Sequence, residues 1–156
     1  MKPWEIVRII IFTVIGAALM FLGQRLIYEN QIVPIQKVPL DTWLAADYTT
    51  AALIMFGVCM FSTILWCVLG VMSKSGGSSR GKWLLIWFLL SLLPLVTIGI
   101  TVLLVNRSDE AQMSLMGFFL FDTIWLYWLN TATSSPETVK YIPPGAFFIR
   151  HKLMGD

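Results

Sequence analysis

TAALIMFGVCMFSTILWCVLGVM, residues 50–72, runs for 23 residues without one charged side chain. A helix needs roughly 20 predominantly apolar residues, each rising ~1.5 Å, to cross the ~30 Å hydrocarbon layer of a bilayer. Three further runs of similar length, 6–27, 83–105 and 111–130, surround it in the sequence. Lipid offers no partner to an exposed backbone N–H or C=O, and none of the four runs alternates in the manner of a barrel strand, so each is predicted to be a helix. The expected fold class is therefore all-α: an integral membrane protein of four transmembrane helices with short loops, packed as an antiparallel bundle. Residues 1–156 are expected to form a single membrane domain, with 131–156 as a cytoplasmic interfacial tail.

Composition agrees with that reading. The chain is 57% hydrophobic and 13% charged, where soluble domains carry about 25% charged residues. Its net charge of +2 is too small and too dispersed for a nucleic-acid surface. Position along the chain is more informative than the total, because Lys and Arg flanking membrane spans are retained on the cytoplasmic side. With the N-terminus inside, Lys2, Arg8, Lys74, Arg80, Lys82, Lys140, Arg150 and Lys152 are cytoplasmic, eight of the eleven basic residues, leaving Arg25, Lys37 and Arg107 outside. Both termini are thus expected to be cytoplasmic; a plasma, thylakoid or other organellar membrane satisfies the pattern equally. The first apolar run exceeds the ~7–15 residues of a signal-peptide core and reads as a retained anchor, with Glu5 and Arg8 one turn apart as an interfacial pair.

The connections differ in character. The outer segment 28–49 interleaves Ile32, Val33, Ile35, Val38, Leu40, Trp43 and Leu44 with Pro34 and Pro39, and Asp41 reads as the N-cap of a short helix. Ile35, Trp43 and Leu44 are its candidate partner-binding residues, since apolar patches rimmed by polar groups often mark interfaces. The inner segment 73–82 is flexible and basic. Gly76 to Lys82 formally matches G-x-x-x-x-G-K, but neither a preceding strand nor a following Ser or Thr is present, so it reads as a lipid-facing linker. Asn106-Arg107-Ser108 is a glycosylation sequon too close to the membrane to carry weight. In the tail, Phe147 and Phe148 followed by Arg150-His151-Lys152 suit a segment at the cytoplasmic interface, and Phe147, Phe148 and Arg150 are also candidates for docking a neighbouring subunit.

Chemistry is sparse. Cys59 and Cys67 lie eight residues apart on one predicted helix, ~12 Å along its axis, which excludes their pairing and reads as two small buried hydrophobes. His151 is the only histidine, so no His-ligated haem or metal site is expected within the membrane, and no cofactor is assigned. No nucleophile and base pair can be assembled, so an enzyme is not expected. Trp4, Trp43, Trp83 and Trp128 fall near span ends as interfacial anchors, while Trp66, Trp87 and Trp125 lie deeper and require an N–H partner. Pro94 interrupts the third run and predicts a kink near Leu90 and Ser91.

Asp122 stands apart. It falls near the middle of the fourth run, where an Asp costs at least ~2.5 kcal/mol by insertion scales. No central Lys or Arg in another span compensates for it. Trp125, Ser91 and Thr97 are its candidate neutral partners in an intramembrane polar site, with Thr13, Ser62 and Thr63 as further hydroxyls. Three roles follow: interhelical glue, a group satisfied by a partner subunit, or an exchangeable site for a proton or cation. Two functions are consistent with these features. One is a non-enzymatic accessory, assembly or scaffolding subunit of a larger membrane complex, its partners being lipids and other membrane subunits. The other is a homo-oligomeric proton- or cation-coupled transporter or channel using Asp122.

Overall fold

Period-3.6 stripes of buried residues organise the chain. The computed structural model describes residues 1–35, 38–73, 80–104, 109–153 and 155. Among these every regular element is helical: α1 (Pro3–Glu29), α2 (Leu40–Met72), α3 (Arg80–Leu104) and α4 (109–134), followed by a 3-10 turn at Glu137–Val139 and a short tail helix, α5 (146–153). Three helices, α1, α2 and α3, are long and apolar enough to cross a membrane. The glycosylation sequon 106–108, Lys37, and residues 74–79 of the basic inner segment lie outside the described residues.

The boundaries differ from the sequence expectation at two places: residues 131–134, expected in the tail, continue α4 to Ser134 and are buried, and the second span starts early. Segment 40–49 is not a loop with a separate helix at Asp41; α2 begins at Leu40, with Pro39 as its cap, and continues without a break to Met72. Proline is tolerated there because the first-turn N–H groups have no intrahelical acceptor to lose. The extension is driven by burial of Trp43, Leu44 and Tyr48, which close over the end of α1.

On α1 the buried positions are Glu5 in the first turn and then Gly16, Met20, Gln24 and Tyr28, spaced by four. On α3 they are Trp87, Leu90, Pro94, Ile98 and Thr101. Pro94 faces inward and the helix runs through it without interruption. α4 is lined by Ala111, Leu115, Phe119, Asp122, Leu126 and Tyr127 and ends in the wholly buried stretch Asn130 to Ser134. It packs on all three other long helices, whereas α3 packs on α2 and α4. The polar residues of α4's second half, Asp122, Thr123, Asn130, Thr131, Thr133 and Ser134, are therefore turned towards protein, while α1 to α3 each leave an apolar face outward.

The pairing of α1 with α4 can be followed residue by residue. Arg8 donates to the carbonyl of Thr133, Gly16 abuts Leu126, Gln24 reaches Asp122, and Tyr28 shares a 2.8 Å hydrogen bond with Ser114. The close approach at Gly16 depends on the missing side chain: a Cβ there would stand 2.4 Å from Leu126 Cδ2 and 2.9 Å from Trp125 Cδ1. Small residues let membrane helices approach in this way.

Cys59 and Cys67 are both buried and free, as the spacing predicts. The three deep tryptophans each find an acceptor: Trp66 Nε1 donates to Ser135 Oγ at 2.8 Å, Trp87 to Thr131 Oγ1 at 3.0 Å, and Trp125 to the Phe12 carbonyl at 3.0 Å. Trp43 departs from the interfacial reading, being fully enclosed in a cluster with Tyr28, Tyr48 and Phe118, its ring 4.7 Å from that of Tyr28. Replacing Gly16 by Val is expected to destabilise the bundle by about 1–3 kcal/mol, the usual cost of overpacking. Gly57→Ala, at a position with open space around it, should leave the melting curve of the detergent-solubilised protein unchanged.

Candidate intramembrane site

Asp122 is 1% exposed. Its partner is Gln24, whose Nε2 donates to the carboxyl group at 2.8 Å from Oδ1 and 2.9 Å from Oδ2. The amide's other end, Oε1, accepts from the Tyr48 hydroxyl at 3.1 Å, and that hydroxyl also donates to the Met20 carbonyl. One primary amide thus serves as donor to α4 and acceptor from α2, since its N–H and C=O lie on separate atoms of one neutral group. The network joins α1, α2 and α4 around Gln24.

The backbone is irregular at the same places. A π-helical turn spans Leu19–Gln24 in α1 and another Trp43–Tyr48 in α2, and a third, Ile124–Leu129, begins two residues after Asp122 in α4. A π turn inserts an extra residue into the helical register and re-aims the side chains at its end, and such turns are frequent at functional sites. Gln24 and Tyr48 each close one. On its outer side Gln24 also forms part of the wall of a groove of about 670 Å³ between α1 and α4, lined by Leu19, Gly23, Ser114, Gly117 and Phe121.

Of the residues predicted to meet Asp122, none is its partner. Ser91 and Thr97 are on α3 and donate to carbonyls of their own helix, Phe88 at 2.7 Å and Leu93 at 2.8 Å; a hydroxyl one turn from a free lone pair satisfies itself locally. Trp125 points to α1. Gln24 was the missed partner, although its place in the Gly16, Met20, Gln24, Tyr28 stripe puts a primary amide on the packed face.

The predicted docking residues divide. Ile35 is half-buried against the core, and Trp43 and Leu44 are buried within the chain, so these two present no surface to a partner. Phe147 and Phe148 are more than half exposed. Arg150 is corrected from a surface residue to an interior one: at 1% exposure it donates to the carbonyls of Ala132 at 3.1 Å, Thr133 at 2.7 Å and Ser135 at 2.9 Å, and lies 3.8 Å from Glu5. The last carbonyls of α4 have no intrahelical donors and carry the negative end of its dipole, so a guanidinium fork is a fitting cap. Glu5 accordingly pairs with Arg150.

No family model, no curated protein and no solved structure matches the chain. Among the described residues no group of three or more His, Cys, Asp or Glu is placed to hold a metal ion.

Two outcomes follow for stability. In a double-mutant cycle of Gln24→Leu and Asp122→Leu, the coupling energy from unfolding in mixed micelles should be about 0.6–1.7 kcal/mol, the range for interhelical hydrogen bonds in membranes. Additive effects would show that the pair contributes no mutual stabilisation. Arg150→Ala leaves three buried carbonyls without this donor and Glu5 buried without this cation, and is expected to cost about 3–5 kcal/mol. The tail should then be cut faster by trypsin at Lys140.

Proposed function

We propose that the chain is a non-enzymatic accessory or assembly subunit of a larger membrane complex. In this reading four helices cross the bilayer antiparallel, α4 included, with both termini cytoplasmic. Support for the fourth crossing comes from its packing: α4 runs alongside α1 from Thr133 at one end to Ser114 at the other, opposite Arg8 and Tyr28. Orientation rests on the excess of Lys and Arg at the end where the termini meet.

The observation that carries the functional reading is the closure of the Gln24, Asp122 and Tyr48 network. Asp122 accepts from the neighbouring helix within the same chain, so it serves as interhelical glue and needs no group from a partner. Polar side chains are thereby spent on holding the bundle together, while broad apolar faces are left for lipid or other subunits. The exposed face of α3, with Leu85, Phe88, Leu89, Leu92 and Val96, is one of these, and that of α1, with Ile6, Ile10, Val14 and Leu22, is another.

The second reading, an oligomeric proton- or cation-coupled transporter, is favoured by one observation: Gln24 touches both Asp122 and the lateral groove. The experiment that separates the two is the mass and composition of the native particle, extracted in mild detergent at endogenous level. Co-migration with other polypeptides is the expected result. A particle built only from copies of this chain would overturn the accessory reading, and loss of flux in Asp122→Asn with normal folding would then establish transport.

A further inference from the structure

The end of the bundle where the termini meet is strongly basic. Ion pairs and contacts bring four parts of the chain together there: Lys2 lies 3.3 Å from Glu137, Thr138 donates to the Gly70 carbonyl at 2.6 Å, the rings of Trp66 and Trp83 are 5.8 Å apart, and Arg150 reaches Glu5. Among the described side chains this end gathers seven cations, Lys2, Arg8, Arg80, Lys82, Lys140, Arg150 and Lys152, against the two carboxylates Glu5 and Glu137. The opposite end has the reverse balance, Arg25 against Glu29, Asp41 and Asp47.

α5 is held at this end in a fixed orientation. Gly145, at φ 77°, turns the chain back, which a residue with a Cβ rarely does. Trp128 Nε1 donates to the Pro144 carbonyl at 2.9 Å, Ala146 is buried, and Arg150 is inserted beneath the end of α4. With Ala146 and Arg150 facing inward, Phe147, Phe148, His151 and Lys152 face outward. Phe147 is 59% and Phe148 54% exposed, Lys152 Nζ stands 5.8 Å from the Phe148 ring centre, and Phe147 stacks on His151.

Two exposed phenylalanines flanked by cations at the rim of a bilayer-spanning bundle match the chemistry of the headgroup boundary. Aromatic rings enter the acyl region while cations stay with the phosphates. Trp4, 65% exposed next to Lys2, is a further aromatic residue at this end. We propose that the outward face of α5, with Phe147, Phe148 and Lys152 at its centre, is a binding surface for anionic lipid headgroups in the membrane the chain itself occupies. Charge complementarity selects the anionic lipid over a zwitterionic one. The proposal stands independently of the accessory-subunit reading, since it requires no other polypeptide.

The test uses the purified full chain in neutral maltoside micelles, titrated with dioctanoyl phosphatidylglycerol or dioctanoyl phosphatidylcholine. Phosphatidylglycerol should bind several-fold more tightly at low salt, and the difference should vanish near ~1 M salt, where the screening length is ~3 Å. Lys152→Gln should weaken phosphatidylglycerol binding roughly fivefold, the equivalent of ~1 kcal/mol per cation near an anionic surface, and leave phosphatidylcholine unchanged. Phe147→Ser combined with Phe148→Ser should weaken both lipids. Arg25→Gln removes the same charge at the opposite end and should change neither. Equal affinity for the two lipids, an unaffected Lys152→Gln, or an equal loss in Arg25→Gln would overturn the proposal. The substituted side chains of α5 are exposed, and an unchanged melting curve without lipid confirms that each variant is folded.

Discussion

The contact between Gln24 and Asp122, 98 positions apart in the chain, is the constraint around which the bundle is arranged. A carboxyl group placed deep in an apolar helix cannot be left to hydrocarbon, which has neither donors nor acceptors to offer. An amide resolves this because it satisfies two helices at once, giving to Asp122 and receiving from Tyr48. That arrangement fixes the register of α1 on α4 and the depth of α2 against both. The π turns at Leu19–Gln24 and Trp43–Tyr48 are the local backbone adjustments that bring the ends of these side chains to one point.

A second polar layer sits one bundle-end away and obeys the same rule. α4 finishes in Asn130, Thr131, Thr133 and Ser134, all buried; Thr131 and Thr133 donate to carbonyls of their own helix, and other elements supply further donors to the stretch. Trp66 and Trp87 supply indole donors from α2 and α3, and Arg150 returns from the tail to cap the helix. Between the two layers the interior is apolar, with Thr63 donating to the Leu126 carbonyl at 2.9 Å as the bridge. α4 therefore carries polar groups at two depths and α1 to α3 wrap them, an inside-out distribution relative to a soluble bundle.

Much of this was legible in the sequence. The four helices follow from run length, and the singularity of Asp122 follows from its isolation among Phe and Leu. The demand of Trp66, Trp87 and Trp125 for partners follows from the indole N–H alone. What escaped was partnership. Gln24 is uncharged and stands beside Arg25 near the end of its run, so it reads as boundary, and only the four-residue stripe shared with Met20 and Tyr28 marks it as packed. Trp43 and Leu44 look like a sticky loop because Pro34 and Pro39 advertise a break, yet the second of these prolines starts the helix. Arg150 and Lys152 are equivalent on composition. The fork geometry of one meets the bare carbonyls of α4, while the other stays at the surface, and no local signal separates them.

The position of Gln24 on the first and of Asp122 on the fourth long helix has a consequence for how the chain is made. Helices emerge from the ribosome in order, and α1, α2 and α3 are apolar enough to be accepted by the bilayer on their own hydropathy. α4 is the element whose buried acid makes unaided partitioning into lipid unfavourable, and of the four long helices it is synthesised last, when the amide that receives its carboxyl group is already in place. Its packing against them is thus a folding step templated by the earlier helices, and the closing of Arg150 over its end can only come after that. The order of residues along the chain doubles as the order of assembly.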